Sequence, residues 1–443
     1  MSSPPPTTST ILANYYAYES SLPLTPPSSS PTYLNTGAFG VPYPSSFLLN
    51  THLIQLGYEQ PMVYHRSLVP ELLKRSKKSA CEYLKISNPE SLNFVCSVSS
   101  AIFRVLENFK WMDTSVVITS DCVYHSIKDC LSYLVTSKKI RWIQITTNYN
   151  TNTDEIYEKF EKEIRRNDKV DMVLFDHVSS KPSILFPAKR ICSLCKTMKI
   201  PTLVDGAHVP GSLPSSLIDI DDVGACFYVL TFHKWCHTIR SAGGLVVNKD
   251  LLRDINKIDL FYLTRIIPNS SSTATPANSV YYLESSQPGY LTDYITRGIY
   301  DESTRSYENF ILLTPCLLRV VATEDAFQKE VKVFREEVFR IWKEGFNMND
   351  LEVKVFGGVT TDFDVALPMV SLLLPTERLL TAFPGEDVNS IKKLLTPKLW
   401  EEYGIEVPVF VWKEERLAVR ISYGGPNVVQ GVEMLVAAVN KMC

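Results

Sequence analysis

The sequence predicts an α/β fold in which a mostly parallel β-sheet is flanked by helices and followed by a smaller α+β domain. Three short apolar runs, at 170–175, 200–204 and 225–230, lack polar alternation and are rich in β-branched or aromatic residues. Such runs are typical of strands that are buried on both faces. Segments with helical spacing alternate with strand-like segments from about residue 70 to about residue 250. This alternation implies a parallel sheet with helices on both faces.

Further elements follow the same pattern. Residues 115–119 and 142–145 are predicted strands. The segment 70–84 starts with a proline suited to a first helical turn and has apolar residues at helical spacing, so it is predicted to be a lysine-rich, solvent-facing helix. The segment 188–199 is predicted to be an amphipathic helix between two strands.

Composition divides the chain into a tail and two domains. Residues 1–31 are rich in Ser, Pro and Thr and poor in apolar residues, which predicts a flexible tail in which only the stretch from Ile11 to Tyr18 is suited to docking. Residues 32–300 are predicted to form a large α/β domain whose first segment, 32–60, bridges to the small domain. Residues 301–443 are predicted to form that small α+β domain.

The overall composition favours a small-molecule enzyme. The 443 residues carry a net charge of -3, a pI near 6.2 and 21% charged residues, so a nucleic acid or an anionic membrane is not an expected partner. The sequence contains no run of 18 apolar residues, so a membrane span is not expected. No Lys or Arg precedes Arg66, which argues against a signal or transit peptide. We therefore expect a cytoplasmic protein with free thiols. The CxxC pair Cys192 and Cys195 is interpreted as two packed thiols rather than a zinc or redox site.

Polar residues follow three of the predicted strands at the point where each strand ends. The clusters are Asp176–Ser180 after the first strand, Asp205 and His208 after the second, and Thr231, His233 and Lys234 after the third. In open α/β sheets the ligand crevice lies outside the carboxyl ends of the strands, so these clusters should meet at one site.

An acid and a lysine at such an edge suggest pyridoxal phosphate chemistry. This cofactor needs an amine for covalent attachment, an anion beside its pyridine nitrogen, donors for its phosphate and a flat group against its ring. Lys234 can supply the amine and Asp205 the anion. His233 and buried surroundings could lower the pKa of Lys234 and hold it ready to react. Taken alone, Lys234 could also be an ordinary lysine in a surface loop.

The motifs resemble those of the class V aminotransferase-like pyridoxal phosphate enzymes of fold type I. The resemblance is to the branch that contains isopenicillin N epimerase, L-cysteine desulfhydrase and hercynylcysteine sulfoxide lyase. It is carried by 176–180, 204–208 and 233–235, in order and at familiar spacing, and extends to 33–40 and 419–422. It therefore covers nearly all of the chain after the tail.

The resemblance implies roles for the residues around the cofactor. Val98 and Ser99 would bind the phosphate at a helix N-terminus, where Ser97 stands in place of the family's usual Asn, and Thr231 and His233 would be the second pair of phosphate donors. A Ser-rich helix start is also a common N-cap. Tyr124 would stack on the ring, with His125 as the alternative. Asp176 and Ser179 complete the expected cofactor-binding set, and His208 is either a proton relay beside Lys234 or a buried, satisfied histidine.

Other positions are assigned to the substrate and to assembly. Arg420 would hold the carboxylate of an amino-acid substrate by a planar two-point contact, with Asn35 as a second substrate-facing residue. Asn427 matches an Asn that often follows this arginine. Relatives carry Gly-Thr at the position of Gly298 and Ile299 and lend the Thr hydroxyl to the phosphate of a neighbouring subunit. The resemblance therefore implies a homodimer in which, with Ile299 in place of Thr, this contact is either lost or replaced by a backbone N–H.

The reaction expected from the resemblance begins when Lys234 removes the α-proton of a bound amino acid while Asp205 supports the negative charge. Loss of a sulfur group, reprotonation on the opposite face or transamination can follow. Residues 369–415 contain no Cys that could carry a persulfide, which argues against sulfur transfer. The sequence thus predicts a C–S lyase acting on cysteine or an S-conjugated cysteine-like amino acid. The alternatives are an epimerase or aminotransferase of the same architecture, and a catalytically idle binding relative.

Overall fold

The computed structural model describes residues 8–22, 32–147, 152–252, 306–348, 366–413 and 415–443. Gly298 and Ile299, for which a role in assembly was predicted, lie outside these ranges. Residues 1–7 and 23–31 of the predicted tail also lie outside them.

A seven-stranded sheet forms the centre of the large domain. Its strands, in spatial order β1-β7-β6-β5-β4-β2-β3, are β1 (Leu92–Val95), β2 (Val116–Ser120), β3 (Arg141–Ile145), β4 (Met172–Asp176), β5 (Thr202–Gly206), β6 (Phe227–Thr231) and β7 (Gly243–Val247). Only β7 runs against the others, since it pairs antiparallel with both of its neighbours. The predicted mostly parallel sheet is confirmed. The three strands that carry polar clusters, β4, β5 and β6, are adjacent and buried along their whole length.

Helices cover both faces of this sheet, and their apolar sides form two separate cores. The helices before and within the large domain are α1 (Thr8–Ser21), α2 (Pro44–Glu59), α3 (Pro61–Val63), α4 (Val69–Leu84), α5 (Val98–Glu107), α6 (His125–Lys138), α7 (Thr153–Arg166), α8 (Ala188–Thr197), α9 (Ile220–Val223) and α10 (Lys249–Leu252). A π-helical turn, Tyr64–Leu68, joins α3 to α4, and short 3-10 turns lie at Pro89–Ser91 and Ser215–Leu217. The predicted helices at 70–84 and 188–199 are confirmed as α4 and α8 within two residues at each end. The expectation that α4 faces solvent is wrong, because Lys77 and the apolar residues of this helix are buried in the packing with its neighbours.

The N-terminal segment departs from the predicted flexible tail. Residues 8–21 form helix α1, and its Ile11 and Tyr15 side chains are buried in the core of the large domain. A salt bridge of 2.7 Å between Glu19 and Arg75 adds to this contact. The expectation of disorder is therefore wrong for α1, because apolar residues one helical turn apart give this polar segment a narrow face that can dock. Both buried residues lie in the stretch where docking was expected.

The small domain is built on a three-stranded antiparallel sheet in the order β8-β10-β9. Its elements are α11 (Glu308–Ile311), α12 (Leu313–Phe346), β8 (Met369–Leu373), α13 (Thr376–Ala382), α14 (Val388–Tyr403), β9 (Val409–Trp412), β10 (Arg416–Ser422) and α15 (Val428–Met442). Helix α12 contributes Leu317 to the core of the large domain and Trp342 to that of the small domain. Leu34 also packs in the small-domain core, so the chain after the tail contacts both domains.

The described part of the protein has neither a membrane-spanning helix nor a disulfide. In the described part of the chain, no helix is long and apolar enough to cross a membrane. All ten cysteines are outside disulfides, and Cys192 and Cys195 are both buried on α8. Burial raises the pKa of both thiols, as expected for packed rather than reactive cysteines.

Candidate active site

A cavity of about 400 Å³ opens at the carboxyl edge of β4, β5 and β6, where the small domain meets the sheet. Most of the predicted site residues line it: Asn35, Val98, Ser99, Tyr124, Asp176, Asp205, His208, Thr231, His233, Lys234 and Arg420. The ends of the three parallel strands thus meet at one place, as their sequence pattern predicts.

Lys234 contacts His208 inside the cavity. The Nζ atom of Lys234 lies 3.1 Å from Nε2 of His208, and the indole Nε1 of Trp235 donates to Nδ1 of the same ring at 3.4 Å. An indole N–H can only donate, so Nδ1 must accept and the single proton of the neutral ring belongs on Nε2. His208 then donates to Lys234 when the lysine amine is neutral. The hydrogen-bond network assigns this tautomer, and it leaves both ring nitrogens of the buried histidine satisfied.

Burial controls the charge of both members of this contact. It lowers the pKa of Lys234 to about 8, with Asp205 opposing the shift and Arg420 adding to it. It also holds the pKa of His208 well below its usual value, and the nearby Lys234 and Arg420 add to that effect. A lysine with a depressed pKa has a larger fraction of reactive neutral amine at physiological pH.

Two carboxyl groups lie side by side at the sheet edge. Asp176 and Asp205 are register partners at the ends of β4 and β5. Burial raises the pKa of both, and the charge of Asp205 raises that of Asp176 further. Asp205 accepts the N–H of Ala207 at 2.9 Å and is also favoured by Lys234, whereas Oδ2 of Asp176 is buried without a hydrogen-bond partner. Because the charge of Asp205 raises the pKa of Asp176 further, Asp205 is the member of the pair that loses its proton more readily, and Asp176 is the member that keeps its proton to higher pH.

The N-terminus of α5 faces the opposite end of the cavity. Ser97 caps this helix by accepting the N–H of Ser100 at 3.4 Å, and Val98 and Ser99 begin its first turn. The Ser99 hydroxyl contacts the Ser126 hydroxyl at 3.0 Å, and that of Thr231 contacts Nδ1 of His233 at 2.8 Å. Backbone N–H groups at the start of α5 and these hydroxyls line the same cavity, and such donors suit a phosphate.

Tyr124 and His125 were the two candidates for stacking on the cofactor ring, and only one of them faces the cavity. Tyr124 lines the cavity, while His125 does not and begins α6 with its side chain exposed. The two rings pack at a centroid distance of 4.1 Å, so His125 supports the Tyr124 ring from outside.

Arg420 is held by two neutral side chains. Its guanidinium donates to the Ser180 hydroxyl at 2.7 Å and to Oδ1 of Asn35 at 2.6 Å, and its Nε is buried without a partner. Arg420 is only 2% exposed, and no carboxylate forms a salt bridge with it in the described part of the protein. Burial lowers its pKa to about 10. A buried cation without a counter-charge is unfavourable, so this arrangement calls for an anionic ligand.

Two predicted residues are absent from the cavity lining. Ser179 is buried, but its hydroxyl donates to the carbonyl of Pro182 at 2.6 Å within the loop after β4, and the next residue, Ser180, faces the cavity instead. The structure therefore does not place Ser179 in the cavity lining. Asn427 is exposed before α15 and does not line the cavity either.

Several lining residues received no role from the sequence, among them Phe39, Ser180, Lys181 and Arg240. Ser180 is the last residue of the Asp176–Ser180 cluster and Lys181 follows it directly, so their position after β4 was the available signal. Phe39 lies in a segment that the resemblance covered. Arg240 follows the Lys234 motif, but nothing in its sequence context indicates that it faces a cavity.

Gly40 brings the N-terminal segment against the backbone of Lys234, and its replacement is the first testable prediction. A Cβ atom on Gly40 would overlap the carbonyl oxygen of Lys234 and lie 2.6 Å from that of His233. Because backbone atoms cannot swing aside, Gly40→Ala should destabilise the protein by about 1–3 kcal/mol or more and weaken cofactor binding, as measured by thermal unfolding and by absorbance titration. Gly57→Ala on α2 meets only the Tyr64 ring at 3.3 Å and is the matched control. Equal melting temperatures for the two variants would contradict this packing.

Comparisons with known proteins agree with the fold and with the motifs. The Aminotransferase class-V family model matches residues 63–263. An L-cysteine desulfhydrase of Arabidopsis thaliana is 24% identical over 216 residues, which are 46% of this chain and 47% of the relative. The resemblance to class-V aminotransferases is confirmed. A hercynylcysteine sulfoxide lyase of Schizosaccharomyces pombe is 23% identical over 231 residues, which are 52% of this chain and 57% of that protein.

The matched segments span about half the length of these two curated relatives. Among solved structures, the cystine C-S lyase C-DES in complex with its reaction product cysteine persulfide has a TM-score of 0.67 and 18% identity. That match covers 92% of this chain and 97% of the other, so the likeness of fold extends through both domains.

The cavity fits pyridoxal phosphate. It offers an amine with a lowered pKa at Lys234, a carboxyl group at Asp205, an aromatic ring at Tyr124 and a helix N-terminus at α5. These are the four groups that the cofactor requires. Among the described residues, no group of three or more potential metal-binding side chains is present.

Proposed function

We propose that this protein is a pyridoxal phosphate-dependent C–S lyase that acts on cysteine or on an S-conjugated cysteine-like amino acid. The observation that carries the amino-acid part of the proposal is the buried Arg420, which lacks a counter-charge and faces the same cavity as Lys234. A substrate carboxylate would supply that charge, and a guanidinium is suited to hold it by two parallel hydrogen bonds. Asn35 and Ser180 fix the guanidinium in place, so both are positioning residues.

The remaining roles follow from where the side chains lie. When bound, pyridoxal phosphate supplies an aldehyde that condenses with amino groups and a conjugated ring that accepts electrons released at the α-carbon of the substrate. Lys234 would hold the cofactor and take the α-proton of the substrate, and His208, which contacts its amine at 3.1 Å, would orient it. Asp205 would stabilise a positive charge on the ring nitrogen. Tyr124 would pack on the ring, and the start of α5 with Thr231 and His233 would bind the phosphate.

Asp176 also belongs to the cofactor set. As the protonated partner of Asp205 it can donate a hydrogen bond into the cavity, which a charged carboxylate could not do. Ser180 takes the place that Ser179 was expected to occupy in the lining.

Two observations support C–S bond cleavage by elimination: the absence of a cysteine from residues 369–415, and the activities for which the curated relatives are named. In a persulfide-forming enzyme a cysteine must reach the substrate sulfur, and residues 369–415, which precede Arg420, contain none. The curated relatives include an L-cysteine desulfhydrase and a hercynylcysteine sulfoxide lyase. We therefore favour elimination, in which the α-proton and the sulfur group leave neighbouring carbons and water converts the remainder to pyruvate and ammonia.

The test is an absorption spectrum of the purified protein with pyridoxal phosphate, recorded before and after addition of L-cysteine, with pyruvate and sulfide assayed together. A visible band of lysine-bound cofactor that shifts on addition, with pyruvate released, is the expected result. A band without pyruvate would redirect the assignment to an epimerase or aminotransferase. A protein that develops no band would be an idle binding relative.

The second testable prediction concerns pH. Only the neutral amine of Lys234 can attack the cofactor aldehyde, and burial lowers its pKa to about 8. The rate of cofactor uptake by the apoprotein should therefore rise with pH up to about 8 and level off above it, as followed by stopped-flow absorbance. Asp205 raises the pKa of Lys234, so in Asp205→Asn the midpoint should move to lower pH. A midpoint that stays near 10, the ordinary value for lysine, would contradict the assigned environment.

The oligomeric state and the cellular location of the protein are the last two parts of the proposal. We propose a homodimer and a cytoplasmic location, as the family resemblance and the composition suggest. Sedimentation velocity of the purified protein, with and without cofactor, tests the dimer.

A further inference from the structure

A second cavity adjoins the candidate active site. It has a volume of about 510 Å³, and its walls include Tyr33, Trp400 and Glu406. Phe39 and Arg240 line both cavities, so the two spaces meet at this pair. Phe39 is 46% exposed and Trp400 59% exposed, which is unusual for side chains of this size and leaves apolar surface available to a ligand.

Arg240 stands at this junction with its hydrogen-bonding capacity unused. Its guanidinium carbon lies 4.8 Å from the centroid of the Phe39 ring. Stacking on a ring holds the guanidinium plane in place but leaves its N–H groups free. Within the described ranges, Arg240 forms no ion pair and donates no hydrogen bond, in contrast to Arg420, whose guanidinium is held by Ser180 and Asn35. Among the described residues, Arg240 is therefore an oriented cation with no anionic partner.

We propose that Arg240 binds an acid group on the sulfur substituent of the substrate, and that the second cavity receives that substituent. This inference rests on the proposed C–S lyase activity and names its substrate class: cysteine S-conjugates that carry a carboxylate or a similar anion. The apolar walls at Phe39 and Trp400 suit the carbon chain of such a substituent. Glu406 also lines the second cavity and would repel an anion close to it, so the acid group is placed beside Arg240.

The phosphate of the cofactor is also an anion, so it is the other group that Arg240 could bind. Two observations favour the substrate. Arg240 is exposed at the mouth, and it also lines the second cavity, whereas Val98, Ser99 and Thr231 line only the first. The experiment therefore measures the two sources separately.

The experiment compares two substrates that differ only in charge, S-carboxymethyl-L-cysteine and its amide, S-carbamoylmethyl-L-cysteine, together with their homologues that are one methylene longer. We expect Arg240→Gln to lower the ratio of kcat/KM for acid over amide by at least about tenfold, the loss typical of one charged hydrogen bond, and Arg240→Glu to lower it further. Comparing ratios between variants cancels the different leaving abilities of the two thiols. Arg141→Gln removes the same charge from an exposed position on β3 and should leave the ratio unchanged.

Cofactor affinity, measured by absorbance titration of each apoprotein, separates the two sources. An unchanged affinity in Arg240→Gln together with a reduced acid preference supports the proposal. A cofactor affinity that falls about tenfold with an unchanged acid preference would assign Arg240 to the phosphate and overturn it. A wild-type preference that no Arg240 variant alters would also overturn it.

Failure of the proposed lyase activity can be recognised separately. If none of the substrates releases pyruvate, the dissociation constants of acid and amide are read from the change in the cofactor absorption band. Selectivity that depends on Arg240 would then survive while the lyase assignment fails.

Discussion

Replacing Lys234 with Ala should abolish the visible band of lysine-bound cofactor and reduce turnover by at least about 10³-fold, since the same amine holds the cofactor and moves the α-proton. The amine is the only lysine nitrogen in the described structure that contacts His208, at 3.1 Å. Absorbance of the reconstituted variant and a pyruvate assay measure the two effects. Addition of a small primary alkylamine should restore part of the turnover, because the missing nitrogen leaves space in the cavity for it.

The matched control is Lys77→Ala. Lys77 is also a buried lysine, 7% exposed, and burial lowers its pKa as well, but it lies on α4 outside the cavity. This variant should keep the absorption band even if its stability falls. Full activity in Lys234→Ala, or loss of the band in both variants, would rule out the catalytic assignment of Lys234.

Arg420 is expected to give the second large effect. Arg420→Ala removes a buried guanidinium and leaves Asn35 and Ser180 without their donor, so kcat/KM for an amino-acid substrate should fall by about 10²–10³-fold, the usual cost of truncating a buried charged contact. Arg420→Lys retains the charge but loses the planar two-point contact, and we expect only partial recovery. The absorption band of the bound cofactor should persist in both variants, because Lys234 is unchanged.

Binding of two ligands separates a carboxylate contact from general damage. L-Alanine has no leaving group, and ethylamine is the same molecule without the carboxylate. The spectral dissociation constant of L-alanine should rise in Arg420→Ala while that of ethylamine stays nearly constant. Arg335→Lys is the control for loss of a buried arginine, since Arg335 is 6% exposed and donates to the carbonyls of Leu367 and Met369 in the small domain. Equal losses for both ligands would show that Arg420 does not recognise the carboxylate.

Much of the site was predictable because strand ends are visible in a sequence. The apolar runs indicated β4, β5 and β6, and parallel strands place their carboxyl ends at one edge. Asp176, Asp205 and Lys234 could therefore be assigned to one site from the order of residues alone. The helix at the start of the tail was not predicted, because its docking depends on a partner surface that includes Arg75 from a distant part of the sequence.

The sequence by itself determined the fold class, the edge of the sheet that carries the site and the residue types available there, since periodicity reports burial and strand direction. Only the tertiary structure decided which side chains in these loops face the cavity and which residues they contact there. The loop after β4 turns Ser179 inward to Pro182 and presents Ser180 to Arg420, and Trp235 sets the tautomer of His208. Arg240 meets the cavity only through its stacking on Phe39, about 200 positions away. These choices depend on side-chain direction and on contacts between distant segments, which sequence spacing does not encode.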